Sequence, residues 1–214
     1  MSPHESFASR ERALLADTFE AAGPDAPTMC AGWDAYDLVA HMVARERRPD
    51  SSPGIMIPAF AGWTERVRTG LKKRHDFGEL VELLRQGPPA LSLWSLPGVD
   101  SAFNRSEFFI HHEDVRRAQP GWQPRELHPK AEEGFWKQLT ASAKFALRKA
   151  PTGVRLSVPD GPSFVARDGE PTVTVSGPPS ELMLYCSGRQ SIARVLTSGD
   201  AEAIKNLTSA SFGL

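Results

Sequence analysis

The chain has 214 residues, of which 40% are hydrophobic and 24% charged, and a formal net charge of -1. That composition belongs to an ordinary globular protein, long enough for one large domain or two small ones. The near-zero charge gives no long-range attraction for nucleic acid or an anionic membrane, and no apolar run approaches the length of a membrane span. Cys30 and Cys186 lie far apart and outside any C-x-x-C pattern. They predict free thiols in a reducing cytoplasm, not a disulfide framework. The N-terminal stretch has no apolar core segment and predicts no secretory signal.

In chain order, "SFASRERALLADTFEAAG" is a first helix, with Phe7, Leu14, Leu15 and Phe19 at helical spacing and Gly23-Pro24 as its stop. The loop "PDAPTMCAGW" leads to a second helix, "DAYDLVAHMVARERR", with Asp34 as a plausible N-cap. Leu38 and Met42 belong to its buried stripe and His41 lies beside it, while Arg45, Arg47 and Arg48 suit the negative end of the helix dipole. The turn-rich "PDSSPGIMIP" is a loop, and "PAFAGWTERVRTGLKKRH" and "DFGELVELLRQG" are two more helices, the latter capped by Asp76. "LSLWSLPGVDSAFN" breaks at Pro97-Gly98. A long helix then carries "EFFIHHEDVRRA" and ends near Gln119-Pro120, and "PKAEEGFWKQLTASAKFALRKA" follows with Pro129 in its first turn.

After Pro151 the apolar period shifts from 3.6 to 2. "TGVRLSVPDG" and "EPTVTVSGPP" predict strands, "SFVARDG" a third between them, and "PSELMLYCSGRQSIARVL" and "DAEAIKNLTS" helices. The expected architecture is mainly α: a four-helix-type bundle over residues 1–150 followed by a small α+β domain over 151–214.

Within "EFFIHHEDVRRA", Glu107, His111 and Asp114 stand at i, i+4 and i+7 and project from nearly one helix face. His112 points about 100° away from His111, toward solvent or a substrate. A helical E-x-x-x-H pair lets carboxylate and imidazole reach one ion, although the same spacing more often makes a surface pair. His41, beside the apolar stripe of a different helix, is the candidate third ligand. Two histidines and one carboxylate suit zinc with an open coordination position, and also non-haem iron. His4, His75 and His128 lie in polar or terminal surroundings and carry no such pattern.

"PTMCAGWDAYDLVAHMVARERRP" resembles the T-x-C-x-G-W…D-L-x-x-H segment of the DinB-like, mycothiol-dependent maleylpyruvate isomerase superfamily. "EFFIHHEDVRRA" resembles its E-x-x-x-H-x-x-D segment, and "GEPTVTVSGPPSELMLYCSGR" its C-terminal domain. The similarity is strongest to the actinobacterial metal-binding branch. It implies a DinB-like bundle in which His41, Glu107 and His111 bind a divalent metal, zinc foremost. It also implies mycothiol as a thiol cofactor, and Arg189 near the active site, holding an acidic group of cofactor or substrate. Asp114 either accepts the remaining N–H of a ligating histidine or pairs with Arg116 or Arg117. Trp33 packs at the start of the second helix. Cys30 is either a small buried residue or, ahead of a helix N-terminus, a stabilised thiolate.

Three function classes stay open. One is a metal-dependent thiol S-transferase or isomerase acting on a small electrophile, with Arg189 or Arg117 orienting an acidic group. The others are a non-catalytic metal-binding protein and a small-ligand binder. Pairing with a second copy of the chain is left open.

Overall fold

The computed structural model describes residues 6–48, 61–89 and 99–212, with only the backbone at 61 and 99–103. His4, the turn-rich loop 49–58 and the break at Pro97-Gly98 lie outside the described residues. Among them are eight helices and four strands, a mainly α fold with a helical bundle followed by a small α+β part, as the sequence predicts. The chain divides into two compact units, residues 1–123 and 124–214.

The first unit contains four long helices, α1 (Phe7–Ala22), α2 (Ala35–Arg47), α3 (Ala61–Arg74) and α5 (Val99–Arg116), and the shorter α4 (Phe77–Gln86). Local chemistry sets their starts. Ser6, Asp34 and Asp76 each accept a backbone N–H of the first turn, and Asp76 closes a full capping box with Glu79. Helix α1 buries Ala8, Leu15, Ala16 and Phe19 along one stripe and packs on α5, while α2 packs on α3 and α4. Ten residues of α2 from Ala35 to Glu46 are buried, so its polar groups need partners inside the bundle. Arg12 meets the Glu46 carboxylate at 2.6 Å, and its guanidinium lies over Phe108.

The second unit holds α6 (Pro129–Ala146), β1 (Gly153–Ser157), β2 (Ser163–Arg167), β3 (Thr172–Ser176), α7 (Pro179–Cys186), β4 (Leu196–Ser198) and α8 (Ala201–Ser209). The sheet order is β2-β1-β3-β4, with β1 antiparallel to β2, parallel to β3, and β3 antiparallel to β4. Val154, Leu156, Val173 and Val175 alternate inward. All eight residues of α7 are buried, which marks it as a core helix. Pro178 offers no side-chain cap there. Glu132 of α6 replaces it, accepting from the backbone N–H and hydroxyl of Ser180 at 2.9 and 2.7 Å.

Two boundaries differ from the sequence reading. The unit boundary falls at 123/124, ahead of the texture change at Pro151, because α6 packs on α7 and β2. Periodicity shows what kind of element a segment forms, not which core it joins. The helix expected over 179–196 ends at Cys186, and Leu196–Ser198 is a strand. Gly188 adopts φ +83, and a Cβ there would meet the Phe212 carbonyl oxygen at 2.8 Å. Only glycine suits that turn, and it ends the helix.

Candidate metal centre

The first-unit site starts in the loop before α2. Thr28 Oγ1 donates to the Trp33 carbonyl at 2.7 Å and accepts the Cys30 N–H at 3.2 Å. Gly32, at φ +78, supplies the left-handed turn. Met29 N–H donates to the Asp114 carbonyl oxygen at 3.0 Å, tying the loop to α5. The loop therefore presents two side chains to the helices. The Trp33 ring lies 5.1 Å from that of His41, and the Cys30 thiol faces Asp114.

His41 of α2 is 9% exposed, and its ring meets that of His111 edge-on at 5.4 Å. Donor atoms of His41, Glu107 and His111 all lie within 4.8 Å of one another, which brings the three sequence candidates together. Glu107 Oε2 stands 3.8 Å from His111 Nε2, and its side chain is 31% exposed, so it forms the open side of the group. Arg45, one turn beyond His41 and buried, places its Nε 3.4 Å from the same Glu107 oxygen.

Asp114 is fully buried. Its Oδ2 accepts from His111 Nδ1 at 3.0 Å and from the Cys30 thiol at 3.2 Å. A carboxylate has no proton to give, so Nδ1 is the donor. That directs the Nε2 lone pair of a neutral His111 toward Glu107 and His41, the arrangement by which carboxylates orient metal-binding histidines. Of the two partners the sequence offers Asp114, the structure selects the histidine. Arg116 and Arg117 both pair with the buried Glu113, and Arg117 also lies over Trp122.

The two histidines have opposite electrostatics. Burial, reinforced by His111, Arg45 and Arg68, pushes His41 down to about 3, so it is neutral with a lone pair to share. Burial also opposes charge on His111, but hydrogen bonds with Asp114 and Cys30 outweigh it and push the pKa up to about 10. One neutral imidazole, one that exchanges a proton for a cation, and one carboxylate are a donor set that fits a divalent metal ion.

His112 is where the sequence reading is corrected. It is buried and faces α1 instead of solvent, with Nδ1 2.8 Å from Glu11 Oε1 and Nε2 2.8 Å from Thr18 Oγ1. Arg117, held by Glu113 and Trp122, is likewise no free anion clamp. Arg189 lies in the second unit, in the turn beyond α7, with Nη1 donating to the Ser187 carbonyl at 2.7 Å. His75 pairs with Glu79 and His128 caps α6. Sequence reasoning missed Cys30 beside His111, because 81 residues separate them. It missed Arg45 because a basic residue late in a helix has a sufficient explanation in the dipole.

Residues 113–205 match the family model of the MDMPI C-terminal domain, a span that includes Asp114 and Arg189. Among curated proteins none matches the chain in sequence. A crystal structure of the mycothiol-dependent maleylpyruvate isomerase is similar in fold, with 18% identity, 90% of each chain covered and a TM-score of 0.55. A crystal structure of a histidine-to-alanine mutant of such an enzyme aligns at 14% identity, 90% coverage of each chain and a TM-score of 0.47, and adds nothing to the fold assignment.

Proposed function

We propose that this chain, which carries an MDMPI C-terminal domain and has the fold of mycothiol-dependent maleylpyruvate isomerase, is a metal-dependent thiol S-transferase or isomerase. His41, Glu107 and His111 would hold a divalent ion, zinc foremost, and mycothiol is the thiol we assign to it. The observation that carries this reading is the Asp114–His111 hydrogen bond, which turns one histidine nitrogen toward Glu107 and His41.

The donor set contains one carboxylate and two neutral imidazoles, so it compensates one of the two charges of a divalent cation. An anionic fourth partner completes the balance, and three protein donors leave a position for it. The metal, when bound, stabilises the thiolate form of an external thiol. The chain's own groups do the rest. Asp114 keeps the Nδ1 proton and fixes the ring. Arg45 steadies Glu107 and adds positive field at the open side. His41, kept neutral by burial, does not compete as an acid. For Arg189 we propose the role that the resemblance implies, binding an acidic group of thiol or substrate; its Nη1 donates to the Ser187 carbonyl. The external thiolate adds to an electrophilic double bond. Rotation about the resulting single bond and expulsion of the same thiolate give cis–trans isomerisation, whereas displacement of a leaving group gives S-transfer. The two free cysteines fit the reducing cytoplasm in which such a thiol is found.

The test is a panel of electrophiles, including cis-unsaturated diacids and halogenated aromatics, incubated with mycothiol and zinc-loaded protein. Consumption should exceed the uncatalysed rate and vanish in His41→Ala. Tight zinc binding with neither thiol consumption nor thiol binding by calorimetry would replace the enzyme with a non-catalytic metal-binding protein.

A further inference from the structure

The group with His41 and Glu107 engages one edge of the His111 imidazole. Its other edge belongs to a second group, Cys30, His111 and Asp114, whose donor atoms also lie within 4.8 Å of one another. The sides of that triangle are 3.0 Å from Nδ1 to Oδ2, 3.2 Å from Sγ to Oδ2 and 3.9 Å from Sγ to Nδ1. A tetrahedral zinc ion, with bonds of roughly 2.3 Å to sulfur and 2.0 Å to nitrogen and oxygen, spaces its ligands roughly 3.3–3.6 Å apart. Each side is within a few tenths of an ångström of the zinc requirement, and a larger ion such as cadmium needs the two shorter sides to open further once their bridging protons leave. Two protons, on the thiol and on Nδ1, now hold the triangle an ion would hold.

Charge agrees with geometry. A thiolate and a carboxylate neutralise a divalent cation, which matters beside the fully buried Asp114, where uncompensated charge is costly. The sulfur selects for softer ions.

We propose that Cys30, His111 and Asp114 form a second metal site, bearing a thiolate, that takes a soft divalent cation such as cadmium, and that it excludes an ion from the His41–Glu107 side. A neutral imidazole donates through one nitrogen. With Nδ1 on an ion the ring proton resides on Nε2, and that nitrogen is lost to the other group. On binding, the thiol proton and one imidazolium proton leave to solvent, and no oxidant or reductant is needed. Only the exclusion rests on the function proposed above; the site itself does not.

Cadmium titration of the full chain under reducing conditions tests this, read by near-ultraviolet thiolate-to-cadmium absorption and by equilibrium dialysis. Wild type and Glu107→Gln should each bind one equivalent and develop the absorption. Cys30→Ser should lose the absorption and bind cadmium about tenfold or more weakly. Because Cys186 is buried with its pKa pushed up to about 12, absorption persisting in Cys30→Ser would overturn the assignment. Cadmium bound by wild type without thiolate absorption would overturn it too, while leaving the His41–Glu107–His111 reading intact. Cadmium lost in Glu107→Gln but kept in Cys30→Ser has the same meaning. Two equivalents in wild type would refute the exclusion. As a check independent of variant folding, cadmium should slow alkylation of Cys30 in wild type; an unchanged rate contradicts the site.

Discussion

Asp114→Asn isolates the group that sets the chemistry of His111. The amide keeps the volume and can still accept a hydrogen bond, but it removes the charge that holds His111 up to about 10. In wild type at pH 8 the imidazolium is intact, so an ion entering through Nε2 must expel one proton. His41, at about 3, expels none. Between about pH 6.5 and 10, apparent zinc affinity should therefore rise about tenfold per pH unit from this proton alone. With the carboxylate gone, only Cys30 still favours the charge against burial, the largest influence on the ring, so His111 shifts toward its neutral form and less of that proton is released. Intrinsic affinity should also fall about 10- to 100-fold, roughly 1.4–2.7 kcal/mol, as the ring loses its orienting partner. The assay is calorimetric titration of zinc at pH 8 in two buffers of different ionisation enthalpy. The difference between wild type and variant cancels every proton source other than His111. Wild type should release more protons than the variant, by up to one. Equal proton release by the two proteins would refute the argument that Asp114 governs His111.

Alanine at His41, Glu107 or His111 should each strip most of the zinc at neutral pH, measured by elemental analysis after dialysis. His112→Ala should keep the zinc and lose stability, because the buried Glu11 loses its hydrogen bond with the imidazole; denaturant melts should show a loss of about 1–3 kcal/mol. The metal-free protein should be most stable near pH 6.5. Below that value the unfolded chain protonates His41 and the folded one does not, so stability falls toward pH 3. The raised His111 pKa contributes fully below about 6.5, and its contribution is lost as pH rises through about 10. Zinc should abolish the alkaline loss, and unfolding free energies from pH 5 to 9 check both limbs. Arg189→Lys should raise KM for an acidic thiol or substrate more than it lowers kcat, as expected when a planar fork is replaced by a point charge.

Much of the fold was legible because periodicity and caps are local. Asp34 and Asp76 cap where the sequence places them, and the 2-residue alternation after Pro151 does form strands. The membership of α6 was not legible, because its apolar stripe says that it packs and not on what. For the site, the i, i+4, i+7 spacing on α5 gave the shared face of Glu107, His111 and Asp114. It could not give Cys30, whose approach depends on the Thr28 and Gly32 turn and on the bond from Met29 to the α5 backbone. Nor could it show that His112 faces α1, because a polar residue one position off a stripe reads as exposed until the packing helix supplies Glu11 and Thr18. No helix among the described residues is long and apolar enough to cross a membrane.

Whether an external thiol meets the ion is decided most directly by cobalt-substituted protein in a Cys30→Ser background, which removes the neighbouring sulfur while keeping a hydrogen-bond donor for Asp114. Mycothiol is then titrated and the near-ultraviolet region followed for thiolate-to-cobalt absorption. A saturable band that is absent in the further variant His41→Ala is the expected result. Cobalt bound in full, with its spectrum unchanged at saturating thiol, would contradict thiol activation at this centre.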